Sequence, residues 1–486
     1  MADDDVPNDQ PIEEQSSHRL KPAWRPADGA EPDDDRAKRR LAELENDPLR
    51  FTANTQTDLV LDNVREAVAW PPEWEDAPNG VAHYQRRGTI LVRDWHRDRL
   101  AELLREAGVT EFRTTDVGSS VTRVQFDEPG DGRQVQDAVA VINKALGGRA
   151  AGADHLVYVC SSGHSCAAIE PEEVPRNAAP VPQKALEEKG VNPADGHGVR
   201  VLVLDTGLVP EALDPATSQA WQVAHPWMAN VTGEPDLVDP NDLGQDAGHG
   251  TFTAGCVAAV APEASIHVVN ATSRLPVEKT GVIGAVFESD LAMLIREQIA
   301  AAQSATNAAG ESEPTLPDVL VLNFAGLSSD GGPLVAFDSL YDDVLQHLKE
   351  TLILSPAGNE GDSRRNWPGS FAWVVSVGAL DEAGTGRAGF SNFGRHVDVY
   401  APGDKLVNAY ATGTYRVSWA PSNGQVRRFD GMARWSGTSF STPLVAGMVA
   451  ARMSATGQSS RRAWLSLLDD AEAQAIPGVG AVLYPA

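Results

Sequence analysis

Three short motifs follow one another along the chain, each ending or opening a regular element. Val201-Leu-Val-Leu-Asp205-Thr-Gly207 places an acid at the C-terminal end of an apolar strand. Gly248-His249-Gly250-Thr251 opens a small-residue helix, and Ser436-Gly437-Thr438-Ser439-Phe-Ser-Thr-Pro443 opens another. A serine hydroxyl is a poor nucleophile until a neighbouring imidazole takes its proton. The imidazole in turn needs a carboxylate that fixes its tautomer and stabilises the imidazolium. The oxyanion formed by attack on an acyl carbon needs donors already aimed at it. Ser439 at a helix start supplies its own N–H and a favourable dipole. Ser355-Pro-Ala-Gly358-Asn359, an amide after a strand and a tight turn, offers a second donor.

Groups so far apart in sequence meet only if strand ends and helix starts gather at one edge of a sheet. From residue 199 onward, apolar runs at 199–204, 266–270, 319–324, 351–355, 374–377 and 397–400 alternate with helical patterns. That alternation specifies an α/β fold, a mostly parallel sheet with helices on both faces. Upstream, residues 88–93 are strand-like, and Leu100, Leu103 and Leu104 form a helical stripe. Residues 112–126 hold two alternating runs around Gly118-Ser119-Ser120, a hairpin signal. A second stripe from Val135 to Leu146 stops at Gly147-Gly148, and a strand closes the unit at 155–160. The order β-α-β-β-α-β describes a small α+β, ferredoxin-like sandwich. The expected organisation is an acidic, largely disordered leader over 1–80, this unit over 81–160, a Pro/Ala/Glu-rich connector over 161–180, and the α/β domain over 181–486.

Composition removes several function classes. The 486 residues carry 68 acidic and 40 basic side chains, a net charge of −28, and only six of those excess negative charges fall in the first 50 residues. Neither nucleic acid nor an anionic membrane is an expected partner of such a surface. No run reaches the length of a membrane span. The start, Met1-Ala2-Asp3-Asp4-Asp5, lacks a secretory pattern, so the expected compartment is the cytoplasm. Three cysteines make no disulfide framework, and the spacing of Cys160 and Cys166 fits no zinc site. A packed core is within reach at 42% apolar residues.

Taken together, the motifs resemble those of the subtilases, the subtilisin-like serine peptidases. Gly389-Phe-Ser-Asn-Phe-Gly394, Asp398-Val-Tyr-Ala-Pro-Gly403 and the closing Gly478-Val-Gly-Ala-Val-Leu-Tyr484 add to the likeness, which covers roughly 180–486. The resemblance implies a serine endopeptidase that cuts protein or peptide substrates through an acyl-enzyme. Asp205 is then the orienting acid, His249 the general base, Ser439 the nucleophile and Asn359 the side-chain oxyanion donor. Ala325, Gly326, Leu327, Ala357 and Gly358 are the implied substrate-binding positions. No cofactor is required. The unit over 81–160 sits where many subtilases carry an inhibitory, fold-assisting prodomain, and Asp154-His-Leu-Val-Tyr158 resembles the end of one. That likeness implies a tail lying in the cleft as an added strand, an intramolecular inhibitor, and self-cleavage within about 160–180. The competing readings are a permanent lid displaced by a regulatory protein partner, a catalytically silent peptide binder, and a hydrolase of small esters or amides.

The sequence departs from the family pattern in places. Phe440-Ser441 stand where Met-Ala is common, and Leu444 where His is common. The strand that usually ends Ser-Leu-Gly reads Val321-Leu-Asn-Phe-Ala325-Gly326-Leu327, which puts Leu327 at the small position or is offset by one. Unshifted, Leu327 narrows the pocket and favours small residues before the scissile bond. Cys256, seven residues after His249, reads as a buried inert thiol. Asp236, Asp239, Asp242 and Asp246 form an acidic loop, read first as solvated and second as a structural calcium site.

Overall fold

The computed structural model describes residues 67–70, 83–93, 97–130, 132–159, 170–175, 178, 180, 194–213, 228–274, 284–306, 309–417 and 424–485. Cys160, Cys166 and most of the leader and connector lie outside these residues. Within the leader, one segment departs from the expectation of disorder. Ala67–Trp70 is strand β1, paired antiparallel with β2 (His83–Arg93). The short apolar run ahead of Pro71-Pro72 is its only local signal.

The N-terminal unit continues with α1 (Arg97–Glu106), β3 (Phe112–Asp116), β4 (Val121–Phe126), α2 (Gly132–Leu146) and β5 (Ala151–Tyr158). Its strands lie in the order β3-β4-β2-β5, all antiparallel. Successive side chains of a strand point to opposite faces, and here both faces are covered. Ile90, Val92, Val124 and Ala153 pack on Leu100, Leu104, Val135 and Ile142 of the two helices. Leu91, Val121 and Val157 belong instead to the core of the larger unit. This double burial is why Ile90-Leu91-Val92 reads as a continuous apolar run.

The larger unit contains β6 (Arg200–Asp205), β7 (Val231–Gly233), α3 (His249–Val260), β8 (Ser265–Asn270), β9 (Ala285–Phe287) and α4 (Glu288–Gln303). Then come β10 (Val319–Leu322), α5 (Val335–Asp343), β11 (Leu352–Pro356), β12 (Val375–Leu380) and β13 (Val399–Pro402). The chain ends with β14 (Leu406–Arg416), β15 (Val426–Trp435), α6 (Thr438–Thr456) and α7 (Ser460–Ala473). Seven strands form a parallel sheet in the order β13-β12-β11-β10-β6-β8-β7. Val201, Val203, Val319 and Val321 face α3 and α6, whereas Leu202, Leu204, Leu320 and Leu322 face α4 and α5. The α/β architecture is therefore the one the alternation specifies.

Two features were not legible. β14 and β15 form a long antiparallel hairpin with a register shift between Ala409 and Thr412. β9 pairs not with the main sheet but with β5, so the N-terminal sheet ends on a strand of the larger unit.

Candidate active site

β6 delivers Asp205 to the C-terminal edge of the sheet with no exposed surface. Its Oδ1 accepts from the Thr206 N–H at 2.7 Å and lies 2.8 Å from His249 Nδ1. Its Oδ2 accepts from Asn323 Nδ2 at 2.6 Å and from Thr253 Oγ1 at 3.0 Å. A carboxylate only accepts, so Nδ1 carries the imidazole proton and Nε2 keeps its lone pair. His249 opens α3, and the glycine after it has a steric reason. A Cβ at Gly250 would collide with the Gly207 carbonyl, so the loop after Asp205 and the start of α3 approach only without side chains.

Ser439 lies in the first turn of α6, 1% exposed. Asn359 follows the turn after β11, where Gly358 has φ +106°, a conformation costly for any residue with a Cβ. Asn359 Oδ1 accepts from the Thr438 N–H and the Thr438 hydroxyl, both at 2.9 Å. That fixes the amide, with Nδ2 on the side shared with Ser439. A carbon built on Gly437 would sit 3.5 Å from Ser439 Oγ and 3.6 Å from Asn359 Nδ2, so both atoms border one small space. The Phe440 ring centroid is 5.0 Å from that of His249, and Trp435 meets the imidazole edge-on at 5.4 Å. Phe252 packs on both aromatic rings. Phe440, at the position expected to hold Met, thus walls the imidazole.

Burial alone would depress the His249 pKa, but the charge and hydrogen bond of Asp205, with Asp246 and Asp236, outweigh it and leave it raised. Asp236 is itself perturbed. Burial pushes its carboxyl up to about 7, against hydrogen bonds from Gly248 and Thr206 and with repulsion from Asp205 and Asp246. Its Oδ2 accepts from the Gly248 N–H at 2.8 Å and the Thr206 hydroxyl at 3.0 Å, and Thr206 Oγ1 accepts from the Gly250 N–H at 3.1 Å. Asp236 therefore ties both neighbours of His249 to the loop that follows Asp205.

Near this cluster the strand β5 is paired along both of its edges. β5 pairs with β9 in the register Leu156 to Phe287, Val157 to Val286 and Tyr158 to Ala285. On its other side the Tyr158 N–H donates to Ala325 O at 2.9 Å, and the Ala325 N–H donates back at 2.8 Å. The Val159 N–H reaches Gly284 O at 2.7 Å. Gly326 makes a reciprocal backbone pair with Trp367, and a Cβ there would meet Val157 Cγ1 at 2.8 Å. The pairing positions are thus Ala325 and Gly326, one step before Leu327. Ala357 is buried, its N–H on Val377 O at 2.9 Å, and Gly358 O accepts from the Asn392 N–H at 3.0 Å. Both stand directly behind Asn359.

A family model described as the subtilase family matches residues 196–475. The chain belongs to the subtilase family. Thermitase of Thermoactinomyces vulgaris is 28% identical over 57% of this chain and 83% of its own length. Subtilisin BL of Lederbergia lenta is 27% identical over 57% of this chain and 84% of its own. The crystal structure of fervidolysin from Fervidobacterium pennivorans, described as a keratinolytic enzyme related to subtilisin, has a TM-score of 0.52 at 18% identity. That match covers 82% of this chain and 60% of fervidolysin, and speaks for the fold.

Several site residues of this subtilase escaped the sequence reading. Thr253 is four residues after His249 on one helix face, a spacing that could have revealed it. Asn323 lay inside a run read only as a substrate strand, and Trp435 in a strand that was not recognised. Three of the four aspartates of the acidic loop have separate partners. Asp236 turns inward, Asp246 Oδ2 accepts from the Gly284 N–H at 2.6 Å, and Asp239 accepts from Asn241. Among the described residues no group of three or more His, Cys, Asp or Glu side chains converges on one point. Cys256 is fully buried, with Asn408 Nδ2 3.6 Å from its Sγ, and burial drives its pKa strongly upward. It fits the inert reading. No helix among the described residues is long and apolar enough to cross a membrane.

Proposed function

We propose that this subtilase is a serine endopeptidase held inactive by its own N-terminal unit and released by self-cleavage. The observation that carries the reading is the buried 2.8 Å Asp205–His249 pair beside a cleft already filled by an extended strand of the same chain. In the proposed reaction His249 Nε2 takes the Ser439 proton as Oγ attacks the substrate carbonyl. Asp205 stabilises the imidazolium, and Asn359 Nδ2 with the Ser439 N–H holds the oxyanion. The intermediate collapses, His249 protonates the leaving amine, and water then hydrolyses the acyl-enzyme by the same groups.

The inhibitory role of the N-terminal unit is supported by how it docks. Asp154 accepts from the N–H and hydroxyl of Ser289 at the start of α4, at 3.1 and 2.8 Å. Arg86 bridges Asp154 and Asp290, and Arg123 reaches Asp290 at 3.0 Å. His155 Nδ1 lies 2.7 Å from the fully buried Glu288, whose other oxygen accepts from the Ala336 N–H. The described chain approaches the site from both directions. Val159 pairs with Gly284 on one side, and Glu172 pairs with Arg434 of β15 on the other. The bond to be cut is therefore assigned to residues 160–169. Intact-mass measurement of the wild-type chain and of Ser439→Ala tests this. A fragment ending within 160–169 is expected only from the wild type. A wild-type chain that stays whole refutes self-cleavage and favours a lid displaced by a regulatory partner, a reading to which the same ion pairs lend weight.

A further inference from the structure

In a chain with a net charge of −28, one ten-residue strand, β15, carries Arg427, Arg428 and Arg434. Arg434 pairs with Glu172 of the chain's own Glu-Pro-Glu-Glu run over 170–173, the Arg427 side chain reaches backbone carbonyls of that run, and Arg428 meets it through its backbone N–H. Glu172 adds to β15 as an antiparallel neighbour. Its N–H donates to Arg434 O at 2.8 Å, the Arg434 N–H donates back at 2.9 Å, and the side chains lie 3.5 Å apart. The Glu170 side chain is buried, 6% exposed, with Oε1 accepting from the Tyr415 hydroxyl at 2.8 Å. Arg427, directly opposite Tyr415 in the hairpin register, donates to Pro171 O at 2.6 Å. Glu173 accepts from the Arg428 N–H at 2.5 Å, and Val174 packs on Val407 and Met432. The surface also has a direction relative to the reaction. Arg434 immediately precedes Trp435, whose ring stands edge-on to His249, while β5 occupies the other arm of the cleft.

We propose that the β14–β15 hairpin is the recognition surface for the leaving side of the substrate. It selects protein segments in which an acid-x-acid-acid-apolar run follows the cut bond within about ten residues, the separation set by 160–169 and Glu170. The inference rests on the peptidase reading and names its substrate class. Backbone pairing to an open strand edge gives register without sequence preference, and the side-chain positions give the choice. The half-buried Glu172–Arg434 pair, 3.5 Å apart and partly open to solvent, contributes little by itself. The buried Glu170 position discriminates more strongly, because its hydroxyl donor is shielded from water and faces a carboxylate. Residues 170–174 are, on this account, a resident copy of the preferred sequence, held until a substrate replaces them.

The test uses processed enzyme carrying Glu170→Gln, Glu172→Gln and Glu173→Gln, so that the resident copy is weakened. Two peptides share the residues up to the cut bond and continue with Glu-Pro-Glu-Glu-Val or Gln-Pro-Gln-Gln-Val. A third, an anilide with no residues beyond the cut, reports the peptidase alone. The expected result is a kcat/KM about tenfold or more higher for the acidic peptide, as charge-assisted bonds imply. Arg434→Gln, at a half-buried position, and Tyr415→Phe are each expected to shrink that ratio. Equal kcat/KM for the two peptides, with the anilide cleaved, overturns the surface assignment alone. An anilide left intact overturns the peptidase reading and this inference with it.

Discussion

Replacing Asn323 with alanine removes the shorter of the two side-chain bonds on Asp205 Oδ2, the 2.6 Å amide bond, and leaves Thr253 at 3.0 Å. Asp205 is fully buried, so water does not take the vacated place. A hydrogen bond to a charged group contributes about 1.5–3 kcal/mol, and each 1.36 kcal/mol of transition-state stabilisation is a factor of ten. If that bond holds the carboxylate against the imidazolium, kcat falls about 10- to 150-fold. KM stays nearly constant, because substrate pairing falls on Ala325 and the Asn323 N–H still donates to Leu204 O. Thr253→Ala added to Asn323→Ala costs less than the sum of the two, since Asn323 Nδ2 also donates to Thr253 Oγ1 at 2.9 Å. The assay is steady-state cleavage of a peptide anilide by processed enzyme, with a thermal melt to confirm folding. An unchanged kcat, or a loss wholly in KM, refutes the reasoning.

Further outcomes follow from other contacts. Asp236 has a folded pKa raised to about 7, so the penalty of ionising it in place is absent below its unfolded value and complete above 7. Asp236→Asn is thus expected to stabilise the protein above pH 7 by up to about 4 kcal/mol and to change little at pH 4, as thermal melts at the two pH values would show. Removing that anion should also move the acid limb of the activity profile, set by His249, to lower pH; an unmoved limb counts against the coupling. Arg86→Ala leaves the buried Asp154 without its 2.8 Å partner, and breaking such a pair costs about 3–5 kcal/mol. The processed chain should therefore gain activity sooner than wild type, and an equal lag argues against the N-terminal unit as inhibitor. Gly250→Ala forces a Cβ onto the Gly207 carbonyl and should cost at least about a hundredfold in kcat, measurable on any folded fraction; near-normal activity would show that the close approach is not needed.

The sequence carried the site's centre because its geometry is local. An acid that ends a buried strand, a histidine that opens a helix between glycines and a serine at another helix start are each fixed by the element they terminate. The parallel sheet was readable for the same reason, since strands buried on both faces are continuous apolar runs. What escaped depends on chain segments meeting from a distance. Asn323 and Asp205 sit on neighbouring strands 118 residues apart, and nothing near either one announces the bond. Asp236 looks like a solvated loop residue until the turn after β7 folds it under His249. β15 mixes three arginines and Asp430 with the buried Phe429, Ala433 and Trp435 without a regular alternation, so its ten residues give no clean strand signal. The position of Leu327 was ambiguous by one residue, and a one-residue offset exchanges the faces of a strand.

The central claim is that Ser439 is an activated nucleophile once the N-terminal unit has left. A fluorophosphonate probe applied to processed protein, read by intact mass and peptide mapping, tests it most directly. One adduct per chain is expected, on Ser439, abolished in Ser439→Ala and strongly slowed in His249→Ala. Processed wild-type protein that takes no label, or labelling that survives Ser439→Ala, would contradict it.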